Sequence, residues 1–354
     1  MLLGLITSLF VLGLTILVHE FGHFVVARRF GIKVLEFGIG YPPRIATLAV
    51  RDGVEYTLNA IPVGGFVRML GEEDPTDPQS FARQSGRVRI ATLLAGSVMN
   101  LVLAAVVFAG AFAIGEKVPM GSVFIESVAT NSPAQQAGMQ PGDIVVSIQG
   151  REIRNFSELI QQTQSFLGQA VDVALLRNGE SVTVRVVPRL RPPSGEGAIG
   201  IVIGMKEDFQ VVTVRNPVWK AIPLGVREVW TVLSETIAGF VRMIRVGIAP
   251  SDIAGPVGIV QIGGAVAQTG LANLMRFIGL LSVNLFVINM LPFPMLDGGR
   301  IAFVLLEKIR GGRRVTPERE SLVHWIGLLV LLGLMVVISY FDIVRIVGGG
   351  SLTP

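Results

Sequence analysis

Five consecutive residues, His19-Glu20-Phe21-Gly22-His23, carry the clearest chemistry in this chain. On an α-helix, residues four apart share a face, so His19 and His23 can grip one ion. Two neutral imidazoles suit zinc. Glu20, next to the first of them, is placed to take a proton from an activated water and pass it to a leaving amine. Catalytic zinc takes three protein ligands and keeps one position open. The sequence has no cysteine, so the third ligand must be a histidine or a carboxylate. There are three histidines in all, and His324 sits at the mouth of an apolar run, where it reads as an interfacial residue. Asp297 is the better third ligand. It stands in Asn289-Met-Leu-Pro292-Phe-Pro294-Met-Leu296-Asp297-Gly298-Gly299, where prolines break a helix and can bring the carboxylate level with the histidines.

The elements that must position these groups are apolar. Of the 354 residues, 51% are hydrophobic, 16% are charged and 42 are glycine. Mean hydropathy is +0.62. A soluble domain carries about 25% charged residues, so a disordered chain is excluded and the composition argues against a single soluble globule. The pI of 9.7 does not point to nucleic acid, because the basic residues cluster beside apolar runs. Four membrane spans are expected. The first begins at the N-terminus and ends at Arg28. The second covers about 90–114, and the third about 277–291, continuing past Pro292 and Pro294 towards Leu306. The fourth covers about 322–338. A cleaved signal peptide would need a basic start, and no Lys or Arg precedes Arg28. The ionisable motif therefore lies inside a span, where such groups mark function. Broken helices at membrane depth line a cavity or are buried in protein, which places a site at the third span.

Two short loops hold the positive charge. Residues 28–89 carry Arg28, Arg29, Lys33, Arg44, Arg51, Arg68, Arg83, Arg87 and Arg89, and residues 300–319 carry Arg300, Lys308, Arg310, Arg313, Arg314 and Arg319. Both loops are expected on the cytoplasmic side and both termini outside. His19 is nine residues before Arg28, about 13 Å along a helix, so the site is expected nearer the cytoplasmic face.

Outside, alternation predicts strands at 122–128, 143–148, 171–176 and 181–187, with a hairpin turn at Asn178-Gly179 and a helix at 156–165. Residues 217–246 read as an interfacial amphipathic helix, because Lys220, Arg227, Glu228, Glu235, Arg242 and Arg245 are spread along it. Inside, residues 33–70 read as short strands. Turns are expected at Gly38-Ile-Gly40, Tyr41-Pro-Pro43, Asp52-Gly53 and Gly64-Gly65, and the segment is apolar enough to dip into the membrane edge.

Asn131-Ser-Pro-Ala-Gln-Gln-Ala-Gly-Met-Gln-Pro-Gly-Asp143 resembles the SPAxxAGLxxGD signature of bacterial PDZ domains. Such domains bind extended peptides by adding a strand to a sheet edge. The H-E-F-G-H run, this unit after the second span, and N-x-x-P-x-P-x-L-D-G in the third together resemble the site-2 protease family of intramembrane zinc metalloproteases. Within it, the chain is most similar to the bacterial regulator-of-sigma-E protease group. Gly64-Gly65-Phe66-Val67-Arg68-Met69, Ala95-Gly-Ser-Val-Met-Asn100 and Gly255-Pro-Val-Gly258 extend the similarity. One PDZ unit is found where some relatives have two.

The resemblance implies a multi-pass protein of the bacterial cytoplasmic (inner) membrane, holding one zinc per chain on His19, His23 and Asp297 with Glu20 as catalytic acid/base. It implies cleavage of single-span substrates, such as anti-sigma factors or remnant signal peptides, in regulated intramembrane proteolysis. Gly64, Gly65, Phe66 and Val67 would pair with the substrate as an added strand, and Asn289 and Asn284 would hold it by hydrogen bonds. The PDZ unit would take an extracytoplasmic peptide or C-terminus, and the lipid bilayer is the remaining partner. The expected fold class is a polytopic α-helical membrane protein with four transmembrane helices, a membrane-associated β-rich loop, and an inserted small, mainly β, PDZ domain. Its regions are 1–115 (spans 1 and 2), 116–192 (PDZ), 193–275 (linker and interfacial helix) and 276–354 (spans 3 and 4). The competing reading is a membrane receptor or scaffold with a non-catalytic metal site. An intact Glu20 speaks against it, since a retired site needs no base.

Overall fold

The computed structural model describes residues 2–72, 74–193, 195–205, 210–246, 254–311 and 315–348. Arg313 and Arg314 of the second basic loop lie outside them. The chain divides into one compact unit of Met1–Ile114 with Asn216–Pro354, and a second of Gly115–Arg215.

Helix α1, Leu2–Arg29, has no proline or acidic residue before Glu20 and ends on Arg28 and Arg29, which suit the negative end of its dipole. Strands β1, Val34–Arg51, and β2, Val54–Met69, then form one long antiparallel hairpin. Of the expected turns in 33–70, Asp52-Gly53 is the hairpin turn, both residues having positive φ (53° and 75°). Gly38–Gly40, Tyr41–Pro43 and Gly64-Gly65 are no turns; they lie within the strands, where register shifts absorb the extra residues. The base of the hairpin is buried and the far half exposed, with Ile45, Leu48 and Val50 facing outward. Glu36 locks the base. Its buried carboxylate accepts from Arg44 (2.8 Å) and Thr57 Oγ1 (2.8 Å) and pairs with Arg68 (3.0 Å). Helix α2, Gly86–Ile114, packs along α1.

The inserted unit follows. Its elements are β3 (Glu116–Met120), β4 (Val123–Val128), α3 (Pro133–Gln136), β5 (Ile144–Ile148), β6 (Arg151–Glu152), α4 (Phe156–Ser165), β7 (Val171–Arg177), β8 (Glu180–Val186), β9 (Ile201–Met205) and β10 (Gln210–Val214). The main sheet has the order β8-β7-β5-β4-β9 with β6 on β5, and β10 pairs with β3. Alternate residues Val123, Ile125, Val145, Val171, Val173 and Leu175 turn inward and pack under Leu159 of α4. Ser132 and Asn155 cap the two helices through their side-chain oxygens. The unit extends past the expected boundary at 192. Residues read as linker supply β9 and β10, because a five-residue strand behind a Pro/Gly-rich stretch shows too little alternation to stand out.

Asp143, the last residue of the signature, is a buried tie within this unit. It accepts from Arg177 Nε (2.7 Å), Arg177 Nη2 (2.7 Å) and the Gln140 amide (2.8 Å). The Arg177 guanidinium, helped by that amide, holds the Asp143 carboxyl below the usual carboxylate range. A folded-state pKa below the unfolded one stabilises at pH above about 4, and the contribution fades as pH falls through the folded value. Arg177→Met is expected to destabilise this unit by about 2–3 kcal/mol at pH 7. The gap should narrow below about pH 4, as Asp143 protonates in the unfolded state and in the variant. Proteolysis of the full chain against temperature at pH 7 and pH 3.5 reads it. An unchanged midpoint at pH 7 would remove the tie.

Helix α5, Val218–Val246, covers the amphipathic helix expected at 217–246 and packs one face on two spans. Its Ala221, Val229, Val232 and Leu233 are buried, the last three clustering with Ala104 and Phe108 of α2 and with Val283 and Val287. One apolar stripe therefore meets two spans. A second, with Trp219, Ile222, Val226 and Trp230, stays exposed on the outer side. Helix α6, Pro256–Thr269, lies within the supposed linker, its amino end capped by the buried Asp342, which accepts from the Gly258 amide (2.8 Å). The third span is two helices. α7, Leu271–Asn289, stops before the prolines, and α8, Asp297–Ile309, restarts on the ligand candidate itself. α9, Pro317–Val347, closes the unit. Among the described residues four helices, α1, α2, α7 and α9, are long and apolar enough to cross a membrane, in agreement with the expected fold class.

Candidate metal centre

His19 and His23 project from one face of α1 and are buried, at 7% and 5% exposure. Asp297 opens α8, where the positive end of the helix favours a carboxylate. His19 Nε2 and His23 Nε2 are 3.1 Å apart, and Asp297 Oδ2 is 3.1 Å from the first and 3.4 Å from the second. Among the described residues this is the one group of three such side chains that could hold a metal. Zn–N and Zn–O bonds of about 2.05 Å in a tetrahedron put neighbouring ligand atoms roughly 3.3 Å apart, so the donor set fits zinc. The tautomer agrees. His23 Nδ1 lies 2.8 Å from the Thr92 carbonyl, which only accepts, so the ring proton sits there and the neutral ring presents a bare Nε2.

Helix α2 is the wall behind all three. Gly96 lies against the His23 imidazole, and a methyl group at this position would run into the ring. Ser97 is fully buried with its hydroxyl 3.4 Å from Asp297 Oδ2. The Asn100 amide stands 3.2 Å from His19 Nδ1.

The loop between α7 and α8 is held from both sides. Gly298 and Gly299 sit under the carbonyls of Met290, Leu291 and Phe293, leaving no room for a side chain. Met295 takes a left-handed φ of 75°, and its amide donates to His324 Nδ1 at 2.9 Å. His324 is buried within the protein, and it holds the loop that delivers Asp297. A lone histidine at a span end gives no sequence signal of this. Thr92, Ser97 and Asn100 also lay outside the expected site.

Glu20 stands one residue from His19 but does not join the three. Its Oε2 accepts from the Val67 amide (3.1 Å), so β2 runs beside the site with Val67 at its level. Gly65, Phe66 and Val67 pair with Ile39, Gly38 and Phe37 of β1. Since the hairpin has only two strands, the opposite edge of β2 faces α1. Asn289 is half-buried at the last turn of α7. Asn284 is turned elsewhere: its Oδ1 accepts from Thr236 Oγ1 (3.0 Å) and ties α7 to α5.

The profile of Peptidase family M50 matches residues 7–334. The chain belongs to this family. Of the M50 peptidase's relatives, a Clostridium perfringens protein named "Putative zinc metalloprotease CPE1693" is 35% identical, over 96% of this chain and 98% of that one. "Zinc metalloprotease RasP" of Oceanobacillus iheyensis is 27% identical over 94% and 97%. Among solved structures, the PDZ domain of an SdrC-like protein from Listeria innocua aligns with 24% of this chain and 97% of its own, at 21% identity and a TM-score of 0.22. This M50 peptidase is a zinc metalloprotease and a multi-pass integral membrane protein.

Proposed function

We propose that the chain hydrolyses peptide bonds within the transmembrane segments of single-span proteins, in regulated intramembrane proteolysis. The observation that carries this is the convergence of three ligand atoms, two of them buried in the second half of α1, a helix apolar enough to span, and the third on Asp297 where α8 begins. A transmembrane helix hides its amide bonds in its own hydrogen bonds, so the scissile segment must be unwound first. The edge of β2 at Gly65–Val67 faces α1, and a substrate strand inserted there would find backbone partners beside Glu20 while the Val67 amide stays on the Glu20 carboxylate. Asn289 stands where the α7 helix ends and is available to the same strand.

His19, His23 and Asp297 would hold the zinc. When bound, the ion supplies Lewis acidity to the attacking water and to the scissile carbonyl. Glu20 takes the water's proton on a carboxylate oxygen and hands it to the departing amide nitrogen, which leaves as an amine. Val67, through its amide, holds that carboxylate in place. The β2 edge keeps the scissile bond extended, and the apolar spans keep bulk water out.

In the orientation supported by the two basic loops, both termini and the inserted unit are extracytoplasmic and the metal centre lies nearer the cytoplasmic face of the bacterial inner membrane. The inserted unit has an apolar groove of about 450 Å³ between α4 and the edge strand β9, lined by Leu159, Ile160, Leu167, Ile199 and Ile203. It suits an extracytoplasmic peptide or C-terminus.

The test is to incubate the purified chain in detergent with a single-span substrate carrying a short outer stub, with and without a zinc chelator, and to map the cut by mass spectrometry. A chelator-sensitive cut inside the apolar segment is expected. Cuts confined to the flanking segments, or none with a panel of such substrates, would favour the receptor reading.

A further inference from the structure

We propose that Asn100 is a positioning residue for the metal. Through its side-chain carbonyl it accepts the Nδ1 proton of His19 and so holds the ring in the form that offers a bare Nε2. Asn100 is fully buried, and His19 Nδ1 is the one partner its amide has among the described residues, 3.2 Å away. With the amide nitrogen towards the ring, Asn100 Oδ1 is buried without a hydrogen bond. In that orientation the amide donates to His19 Nδ1, and the ring proton is forced onto Nε2. It would then point at His23 Nε2 and Asp297 Oδ2, the two atoms with which His19 Nε2 converges. The ligand set would be blocked by its own proton.

Oxygen and nitrogen of a side-chain amide are nearly the same size, so a half-turn costs no space. It puts Oδ1 on His19 Nδ1 and the NH2 group in the unpaired place. One unpaired group is exchanged for another, and the bare Nε2 that ligation requires decides between them. His23 supplies the precedent inside this chain, since its Nδ1 already faces a carbonyl oxygen of α2, that of Thr92. The two ligand histidines would then be oriented alike by oxygen atoms of one helix. Outer acceptors of this kind fix the tautomer and raise the basicity of a ligand ring, and losing one weakens metal binding about 10–100-fold.

The inference rests on His19, His23 and Asp297 holding the zinc, and the experiment separates the two. Zinc affinity of the purified full-length chain in detergent is measured by competition with a chromogenic chelator. Asn100→Leu keeps the shape and removes the acceptor, so binding should weaken about 10–100-fold. Asn100→Asp keeps an acceptor and cannot donate, so binding should stay within about threefold of wild type or tighten. A merely structural role would not restore binding in the aspartate variant. Equal loss in both variants means that the asparagine donates, and no loss in Asn100→Leu means that it does not act on the ring. Either result overturns the proposal. A wild type that binds no zinc would remove the metal reading itself. Should the leucine variant not fold, the wild type still decides. The chain has three histidines, so ¹⁵N-histidine labelling gives a readable spectrum. In the metal-free protein the proton of His19 is expected on Nδ1, and finding it on Nε2 would overturn the assignment.

Discussion

Glu20→Gln is expected to keep one zinc per chain and to lose cleavage by about 10³–10⁴-fold, near the upper range for removing a general acid/base. The two properties separate because Glu20 is not among the three converging side chains. The amide of glutamine has the same length and still offers an oxygen to the Val67 N–H, which lies 3.1 Å from the carboxylate. What is lost is only the ability to carry a proton. Single-turnover cleavage of a single-span substrate, with metal content measured on the same preparation, checks both halves. Equal cutting by variant and wild type would remove Glu20 from the chemistry. Loss of zinc along with activity would make it a structural support.

The second large effect is expected at a residue with no functional group. Gly96→Ala adds one methyl, and that methyl meets the His23 ring. The ring has little room to retreat. Its Nδ1 is anchored on the Thr92 carbonyl at 2.8 Å, and its edge meets the His19 ring with centroids 4.7 Å apart. Ligand constellations tolerate about 0.5 Å of displacement, so zinc affinity should fall about 100-fold, with proteolysis falling alongside. The overpacking itself should cost about 1–3 kcal/mol of stability. Gly239→Ala on α5, where an added methyl has open space, is the control. Isothermal competition for zinc and thermal unfolding distinguish a displaced ligand from a general loss of fold. If Gly96→Ala bound zinc like the control, helix α2 would not be the close wall described above.

Legibility in the sequence followed the range of the interactions. His19 and His23 were visible because four residues on a helix is a local relation, and Asp297 because two prolines announce a broken helix. The strands of the inserted unit were visible through their alternation, and Asn178-Gly179 through its turn chemistry. Helix α2 was visible as a span, but not as the support of the metal centre. A helix that is apolar on every side does not say which face meets α1, so Gly96, Ser97 and Asn100, although they lie in a stretch similar to the family, carried no sign of their place against the histidines. The hairpin shows the same limit. Its glycines at 38, 40, 64 and 65 were read as punctuation, yet pairing between two long strands, a longer-range relation, keeps them inside the ladder. The charges of α5 were visible in the sequence, but its packing against α2 and α7 was not, because that is a contact between distant segments. His324 shows that a residue type fixes what a side chain can do, not which backbone amide it will meet.

His23 and Asp297 stand roughly 270 residues apart in the chain. At about 5–20 residues per second, synthesis of the stretch between them takes roughly a quarter of a minute to a minute. On the proposed ligand set, two histidines and a glutamate would be made first and would wait through that interval for the carboxylate that opens α8. The order of these residues along the chain would then delay a complete site until nearly the whole chain has been made.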